Sequence, residues 1–200
     1  MTSAAVLAQA LASAKRTFAA RGFAGTKTKL FWVVEGGNTL TVALQSSARS
    51  SSAERLVTLN YGVYSARIGA KLQEDDESAA RDVSSAHWCK RLCEQGQERW
   101  LSVKATDSVV GVTERVVAAF EGILPDLLAH SKDEALRDAW LAGAGPGLTA
   151  MQRLLYAAIL VHELGPRDRL DGVLAELRGR VSGTMHEGTI ERRLARALGA

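Results

Sequence analysis

The fold of this chain is decided by the stretch KTKLFWVVEGGNTLTVALQ, residues 27–45. Residues 27–35 are rich in β-branched and aromatic side chains, and residues 39–45 alternate with period two, as strands do. Between them, Gly36, Gly37 and Asn38 are residue types that adopt positive φ at low cost. The stretch therefore predicts a β-hairpin.

A third strand is predicted over LVTLNYGVY, residues 56–64, after a polar connection at residues 46–54. Residues 100–103 form a further short candidate strand. Consecutive strands joined by short connections favour an antiparallel meander. We therefore expect an α+β fold, in which helices cover an antiparallel sheet of three to five strands.

Helical patterns lie on both sides of the strand region. The first spans residues 3–20, where apolar residues recur at helical spacing before Arg21-Gly22 ends the pattern. Beyond residue 107 the pattern is helical to the C-terminus. The glycine-rich GAGPG at residues 143–147 is the best candidate boundary. We expect an α+β core domain at residues 1–142 and an all-helical C-terminal extension at residues 143–200.

Composition and charge limit the possible classes of protein. The net charge is +3, but Lys and Arg are interleaved with Asp and Glu along the chain, and this pattern does not favour nucleic-acid binding. No apolar run has the ~18 to 20 residues of a membrane span. Two cysteines without a multi-bridge framework fit a reducing compartment. We expect a cytoplasmic protein that binds neither membranes nor a cofactor.

The segment HWCKRLC, residues 87–93, contains both cysteines and one of the four histidines. A metal site, a reactive or redox thiol and a buried helix face are the three hypotheses for it. Structural zinc takes four ligands, and no fourth candidate lies nearby. A helix over residues 84–95 would place Cys89, Leu92 and Cys93 toward the core and leave Trp88 and Arg91 beside His87. We favour this helix, with no metal.

Motifs of known chemistry are missing from the sequence. It contains no P-loop, no nucleophile elbow and no dinucleotide-binding glycine pattern. His162-Glu163 and His186-Glu187 resemble the start of a zinc-protease motif, but Pro166 and Ile190 stand where its second histidine would be. The acidic run at residues 74–77 is interpreted as a solvated surface. We therefore predict no catalytic residues and no metal ligands.

Two amides are unusual because they lie inside apolar strands. Gln45 and Asn60 carry a desolvation cost there unless they are hydrogen-bonded, so we expect them to bond each other, a loop or a ligand. Other polar and aromatic residues are predicted to line the same groove. The candidate ligand- or partner-binding residues are Gln45, Asn60, His87, Trp88, Arg91 and Trp100.

Several segments, in this order, resemble an uncharacterised bacterial family, domain-of-unknown-function family 4304. The resemblance covers roughly residues 5–142. It rests on Arg21-Gly22-Phe23, Leu30-Phe31-Trp32, Thr41-Val42-Ala43-Leu44-Gln45-Ser46-Ser47, Leu59-Asn60-Tyr61-Gly62-Val63-Tyr64, His87-Trp88 with Arg91-Leu92, and Arg99-Trp100-Leu101-Ser102-Val103. It implies a small cytoplasmic α+β protein without an established activity. It provides no catalytic residue to carry over, and the helical tail goes beyond it.

We therefore expect a non-enzymatic protein-binding module of bacterial origin, for example an immunity-type protein that neutralises a toxin partner. The lack of a reaction motif, the mixed surface charge and an arginine-rich face at Arg192, Arg193 and Arg196 favour this hypothesis. The alternative is a small-ligand binder or an enzyme. Its cleft would lie around Gln45, Asn60, His87, Arg91 and Trp100.

Overall fold

The hairpin predicted over residues 27–45 lies within the main sheet of the computed structural model, which describes residues 1–74 and 76–199. Gly36 and Gly37 make its turn with φ values of +91° and +87°. The strands are β1 (Ala24–Gly25), β2 (Lys29–Val33), β3 (Thr39–Ser46), β4 (Glu54–Tyr64), β5 (Trp88–Arg91), β6 (Cys93–Glu94), β7 (Gln97–Glu98) and β8 (Leu101–Lys104).

The main sheet is antiparallel and, in the described chain, has six strands in the order β1-β2-β3-β4-β5, with β8 also paired to β4. β4 is the longest strand and has two partners along one edge. Its residues 54–57 pair with β8, and residues 60–63 pair with β5. Between these partners, β6 and β7 form a separate two-stranded hairpin. The predicted α+β fold with an antiparallel sheet is thus confirmed.

Helices cover the inner face of this sheet. The helices are α1 (Ser3–Ala20), α2 (Ala66–Leu72), α3 (Glu77–Ala80), α4 (Val109–Ala129), α5 (Asp133–Leu141), α6 (Ala150–Leu164), α7 (Leu170–Val181) and α8 (Glu187–Leu198). α1 spans the predicted residues. The Thr2 side chain caps its first turn, and its apolar stripe is buried. It packs on α4, where the Phe18 and Phe120 rings lie 4.5 Å apart.

The C-terminal helices are organised around α6. Its residues 154–161 are all buried, which is the pattern of a helix with neighbours on every side. These neighbours are α5, α7, α8 and α2. None of the helices in residues 1–74 and 76–199 is long and apolar enough to cross a membrane. The division of the chain at residue 143 stays a prediction.

The arginine face of α8 is partly engaged by the chain itself. Arg193 forms an ion pair with Glu74, and Arg196 donates a hydrogen bond of 3.4 Å to the Leu72 carbonyl. These contacts connect α8 to the C-terminal end of α2. Asp75, within the acidic run predicted to be solvated, lies outside the described residues. The α8 arginines therefore give less support to partner binding than the sequence suggested.

Candidate functional site

The helix predicted over residues 84–95 is wrong. A 3₁₀ turn at Val83–Ser85 leads into β5, which pairs with β4, and the hairpin β6–β7 follows. Gln95 and Gly96 make the turn of that hairpin with φ values of +52° and +79°. Pairing with the open edge of β4 decides the structure here, because four residues of alternating character also fit a helix.

Strand geometry changes which side chains share a face. Trp88 and Lys90 lie on the inner face, while Cys89 and Arg91 lie on the outer face, since successive strand residues alternate. The predicted core orientation of both cysteines is wrong, because Cys93 is exposed and Cys89 is half-buried. Burial raises the pKa of the Cys89 thiol.

Four predicted residues, Gln45, Asn60, Arg91 and Trp100, come together on the outer face of the sheet. With Glu98, which was not predicted, they form a group that we call the Arg91 cluster. The Asn60 amide donates to Gln45 Oε1 at 2.7 Å, so of the three alternatives expected for these amides the structure shows the bond to each other. The Arg91 guanidinium donates to Asn60 Oδ1 at 3.0 Å and to Gln45 Oε1 at 3.3 Å. It also pairs with Glu98 at 2.7 Å and lies 5.9 Å from the Trp100 ring.

His87 is not part of this cluster. It is 2% exposed and lies between the rings of Tyr64 and Tyr156, at 4.6 and 4.9 Å. Its Nδ1 accepts a hydrogen bond of 3.0 Å from the backbone N–H of Ser65, so the ring is neutral with its proton on Nε2. Burial lowers the pKa of His87 to about 3, although Asp133 opposes the shift. A histidine sealed in this way cannot act as an acid or base toward a ligand.

Trp88 is also separated from the Arg91 cluster, because it points to the opposite face of the sheet. It is 1% exposed and stacks on the His130 ring at 4.2 Å. Lys90 lies 5.0 Å above it and pairs with Asp126 at 2.8 Å. The prediction that His87 and Trp88 share a groove with Arg91 is therefore wrong, since both are core residues.

A cleft of about 930 Å³ runs around the outer edge of β5, and we call it the β5 cleft. Part of the Arg91 cluster lines its outer-face side: Gln45, Asn60, Arg91 and Glu98. On the inner side the wall is α4, through Ala118, Ala119, Gly122 and Ile123. Trp100, the fifth member of the cluster, is not among the described residues that line this cleft. The cleft therefore has a polar side and an apolar side, separated by one strand.

The backbone of β5 forms the floor between these two sides. Leu92 donates its N–H to Leu59 on β4, whereas the N–H of Cys89 points away from β4 and donates to the Pro146 carbonyl at 3.4 Å. Because N–H groups alternate along an antiparallel strand, the N–H of Arg91 also points away from β4. The edge of β5 is thus covered at Cys89 and opens into the cleft at Arg91.

Two glycines line the β5 cleft, Gly147 beside Cys89 and Gly122 on the α4 wall. Gly147 lies so close to β5 that a Cβ there would be 2.7 Å from the Cys89 carbonyl oxygen, and its φ is +75°. Gly122 is the opposite case, since a Cβ built on it meets no atom within 4 Å. Its absence of a side chain leaves the α4 wall open rather than relieving a clash. Glycine inside a helix costs roughly 1 kcal/mol relative to alanine.

The charges beside the cleft are paired one to one. Lys90 pairs with Asp126 at 2.8 Å, and Asp126 also accepts a hydrogen bond of 3.0 Å from the Tyr61 hydroxyl. Burial and this bond raise the pKa of Tyr61. Arg99 pairs with Glu94 at 3.4 Å. Within residues 1–74 and 76–199, no group of three or more His, Cys, Asp or Glu side chains is arranged to hold a metal ion.

Sequence reasoning missed the residues of the α4 wall and of the inner face. Gly122 interrupts an otherwise good helix pattern without a turn nearby, and that was an available signal. Tyr61 and Lys90 carried no signal, because their positions depend on the pairing of β4 with β5.

Comparison with protein-family models, curated proteins and solved structures gives no match to this chain. The resemblance to family 4304 stays a prediction.

Proposed function

We propose that this protein is a non-enzymatic binding protein that holds a segment of a partner protein in the β5 cleft. The observation that carries the proposal is the coincidence of an open strand edge with a cleft of about 930 Å³. Most edges of natural sheets are covered or blocked by charge, because an open edge pairs with other chains. An edge left open at the floor of a cleft favours a binding role.

The alternative of an enzyme or a small-ligand binder has one argument in its favour, the volume of the cleft, which lies in the usual range for ligand pockets. Its polar groups argue against it. The Arg91 guanidinium donates to three side chains of its own cluster, so three of its five N–H donors are already used within the protein. The histidine expected to act there, His87, is buried elsewhere. We therefore prefer the partner-binding hypothesis.

Cys93 allows a direct test, because its thiol is exposed and lines the β5 cleft. A photo-activated cross-linker is attached to Cys93 in a Cys89→Ala background, and the labelled protein is exposed to an extract of cells that express it. Mass spectrometry identifies the attached segment. A synthetic peptide of that segment must then bind the unlabelled protein and prevent cross-linking.

The matched control carries the cross-linker at Met185→Cys in a chain without the native cysteines, since Met185 is 90% exposed and is not among the residues that line the cleft. We expect one partner segment from Cys93 that is absent from the control. The same products from both positions, or a captured segment whose peptide does not bind, would contradict the proposal. The toxin-neutralising role expected from the sequence is one case of it, and the identity of the partner tests that role.

A further inference from the structure

We infer that the occupant of the β5 cleft is an extended strand that adds to the sheet at Arg91 and places a large apolar side chain against the α4 wall. This inference rests on the proposed function and specifies the chemistry of the partner segment. It follows from the backbone of β5, from the shape of the wall and from the balance of charge.

The backbone argument begins at Cys89. There the chain already supplies the carbonyl of Pro146 to the outer edge of β5, at 3.4 Å. The next outward N–H is that of Arg91, two residues along, and it opens into the β5 cleft. A strand laid along this edge beyond Pro146 supplies the carbonyl that Arg91 requires. Addition of an extended peptide to an exposed sheet edge is a common mode of recognition.

The side-chain argument comes from the α4 wall. Side chains of an added strand alternate between the two faces of the sheet, so every second one points to the inner face. The inner face beside β5 is bounded by Ala118 and Gly122, which lie one turn apart on α4, and by Ile123. Gly122 leaves the space of a side chain unfilled, Ala118 adds only a methyl group, and the wall is apolar. An aliphatic or aromatic residue of the partner therefore fits there.

The charge argument excludes other classes of occupant. The cationic groups Lys90, Arg91 and Arg99 each have an acidic partner within 3.4 Å, so the described residues give the cleft no unbalanced positive charge. A nucleic acid or an acidic peptide would require unpaired cations. A strand without charge on its inward side matches this surface. Its outward side chains face the amides and the guanidinium of the Arg91 cluster, which suits small polar residues.

The test uses random peptides displayed on phage and selected against the full chain. We expect selected sequences with an aliphatic or aromatic residue at alternate positions and no proline between them. Synthetic versions of these peptides are then measured against Gly122→Leu, which fills the wall, and against Gly179→Leu. Gly179 is the matched control, because it is also an exposed helix glycine with nothing within 4 Å of a built Cβ.

Binding to Gly122→Leu should fall by about tenfold or more, while Gly179→Leu binds like the wild type. In the wild type, peptide binding should slow amide hydrogen exchange at Arg91 by about tenfold or more, since its N–H gains an acceptor. Four results would contradict the inference that the occupant is a strand. They are equal binding to both variants, helical spacing in the selected peptides, unchanged exchange at Arg91, and no selected peptide at all. If Cys93 still captures a partner segment, the proposed function survives that failure. If Cys93 captures none, the proposed function itself fails.

Discussion

Acidification should destabilise this protein through His87, by about 2 kcal/mol between pH 7 and pH 5. The ring is 2% exposed, contacts the rings of two tyrosines, and accepts a hydrogen bond from the backbone N–H of Ser65. A proton on Nδ1 would remove that hydrogen bond and place a charge in the core. The folded protein therefore resists protonation at a pH where the unfolded chain accepts it.

The sign and magnitude follow from the two pKa values of His87. Its pKa is about 3 in the folded state and 6.5 in the unfolded chain. Between these values the unfolded state binds more protons, so the free energy of unfolding falls as the pH falls. Each pH unit well inside this interval contributes about 1.4 kcal/mol. Between pH 7 and pH 5, only the part below pH 6.5 lies in this interval. The free energy of unfolding therefore falls by about 2 kcal/mol over that range.

The assay is urea denaturation of the wild type and of His87→Phe at pH 7, 6 and 5. Phenylalanine keeps a ring between Tyr64 and Tyr156 but leaves the Ser65 N–H without its acceptor, at a cost of about 1–3 kcal/mol at every pH. The variant should be the less stable protein at pH 7. It lacks the titrating group, so the difference between the two proteins should shrink by about 2 kcal/mol at pH 5.

Parallel pH profiles would refute this reasoning, because the same slope in both proteins would mean that His87 does not carry the acid sensitivity. Carboxylates are a separate contribution at lower pH. The pKa of Asp82 lies at about 2, chiefly because Lys29 donates to it, and the pKa of Glu163 is lowered chiefly by its hydrogen bond from Lys71. The stability that these two acids contribute is lost only below pH 5, as each carboxylate becomes protonated.

Three further predictions concern single residues. Cys93 should react with a thiol reagent well before Cys89, which is half-buried and has a raised pKa; two equal fast phases would contradict this order. Lys29→Met should raise the pKa of Asp82 from about 2 toward 3.8, as followed by carboxyl chemical shifts, whereas an unchanged value would leave the Ser84 bonds as its cause. Leu155→Ala should cost about 2–5 kcal/mol in denaturant unfolding, since this α6 side chain is fully buried; a loss below 1 kcal/mol, roughly, would show a loosely packed α6.

The parts of the fold that were predictable are those whose local pattern and tertiary environment agree. β3 and β4 alternate with period two, β2 is rich in β-branched and aromatic side chains, and α1 has a single apolar stripe and a capping residue. β5 was not predictable in the same way. Its four residues alternate too briefly to distinguish a strand from a helix, and the edge of β4 that selects the strand lies about 30 residues earlier in the chain.

The candidate site was also predictable only in part. Gln45 and Asn60 were recognised as amides in apolar strands, and they do bond each other. The desolvation argument does not explain this pairing, because Gln45 is exposed near the end of β3. His87 and Trp88 were misplaced because their neighbours are distant in sequence: Ser65 just before α2, His130 just after α4 and Tyr156 in α6. No local pattern brings these residues together. Gly122 shows the same limit. The sequence shows that residue 122 is a glycine. Only the packing of α4 beside β5 shows that its missing side chain leaves space in the wall of the β5 cleft.

The two glycines of the β5 cleft differ in a way that distinguishes a structural from a functional requirement. Gly147 has no room for a Cβ, so the fold itself requires glycine there. Gly122 has room for a side chain, and alanine in its place should stabilise α4 by roughly 0.5–1 kcal/mol. Gly179 is equally open, so the space at Gly122 gains its functional meaning from its place in the lining of the β5 cleft. Full binding by a more stable Gly122→Ala variant would leave that glycine without a role.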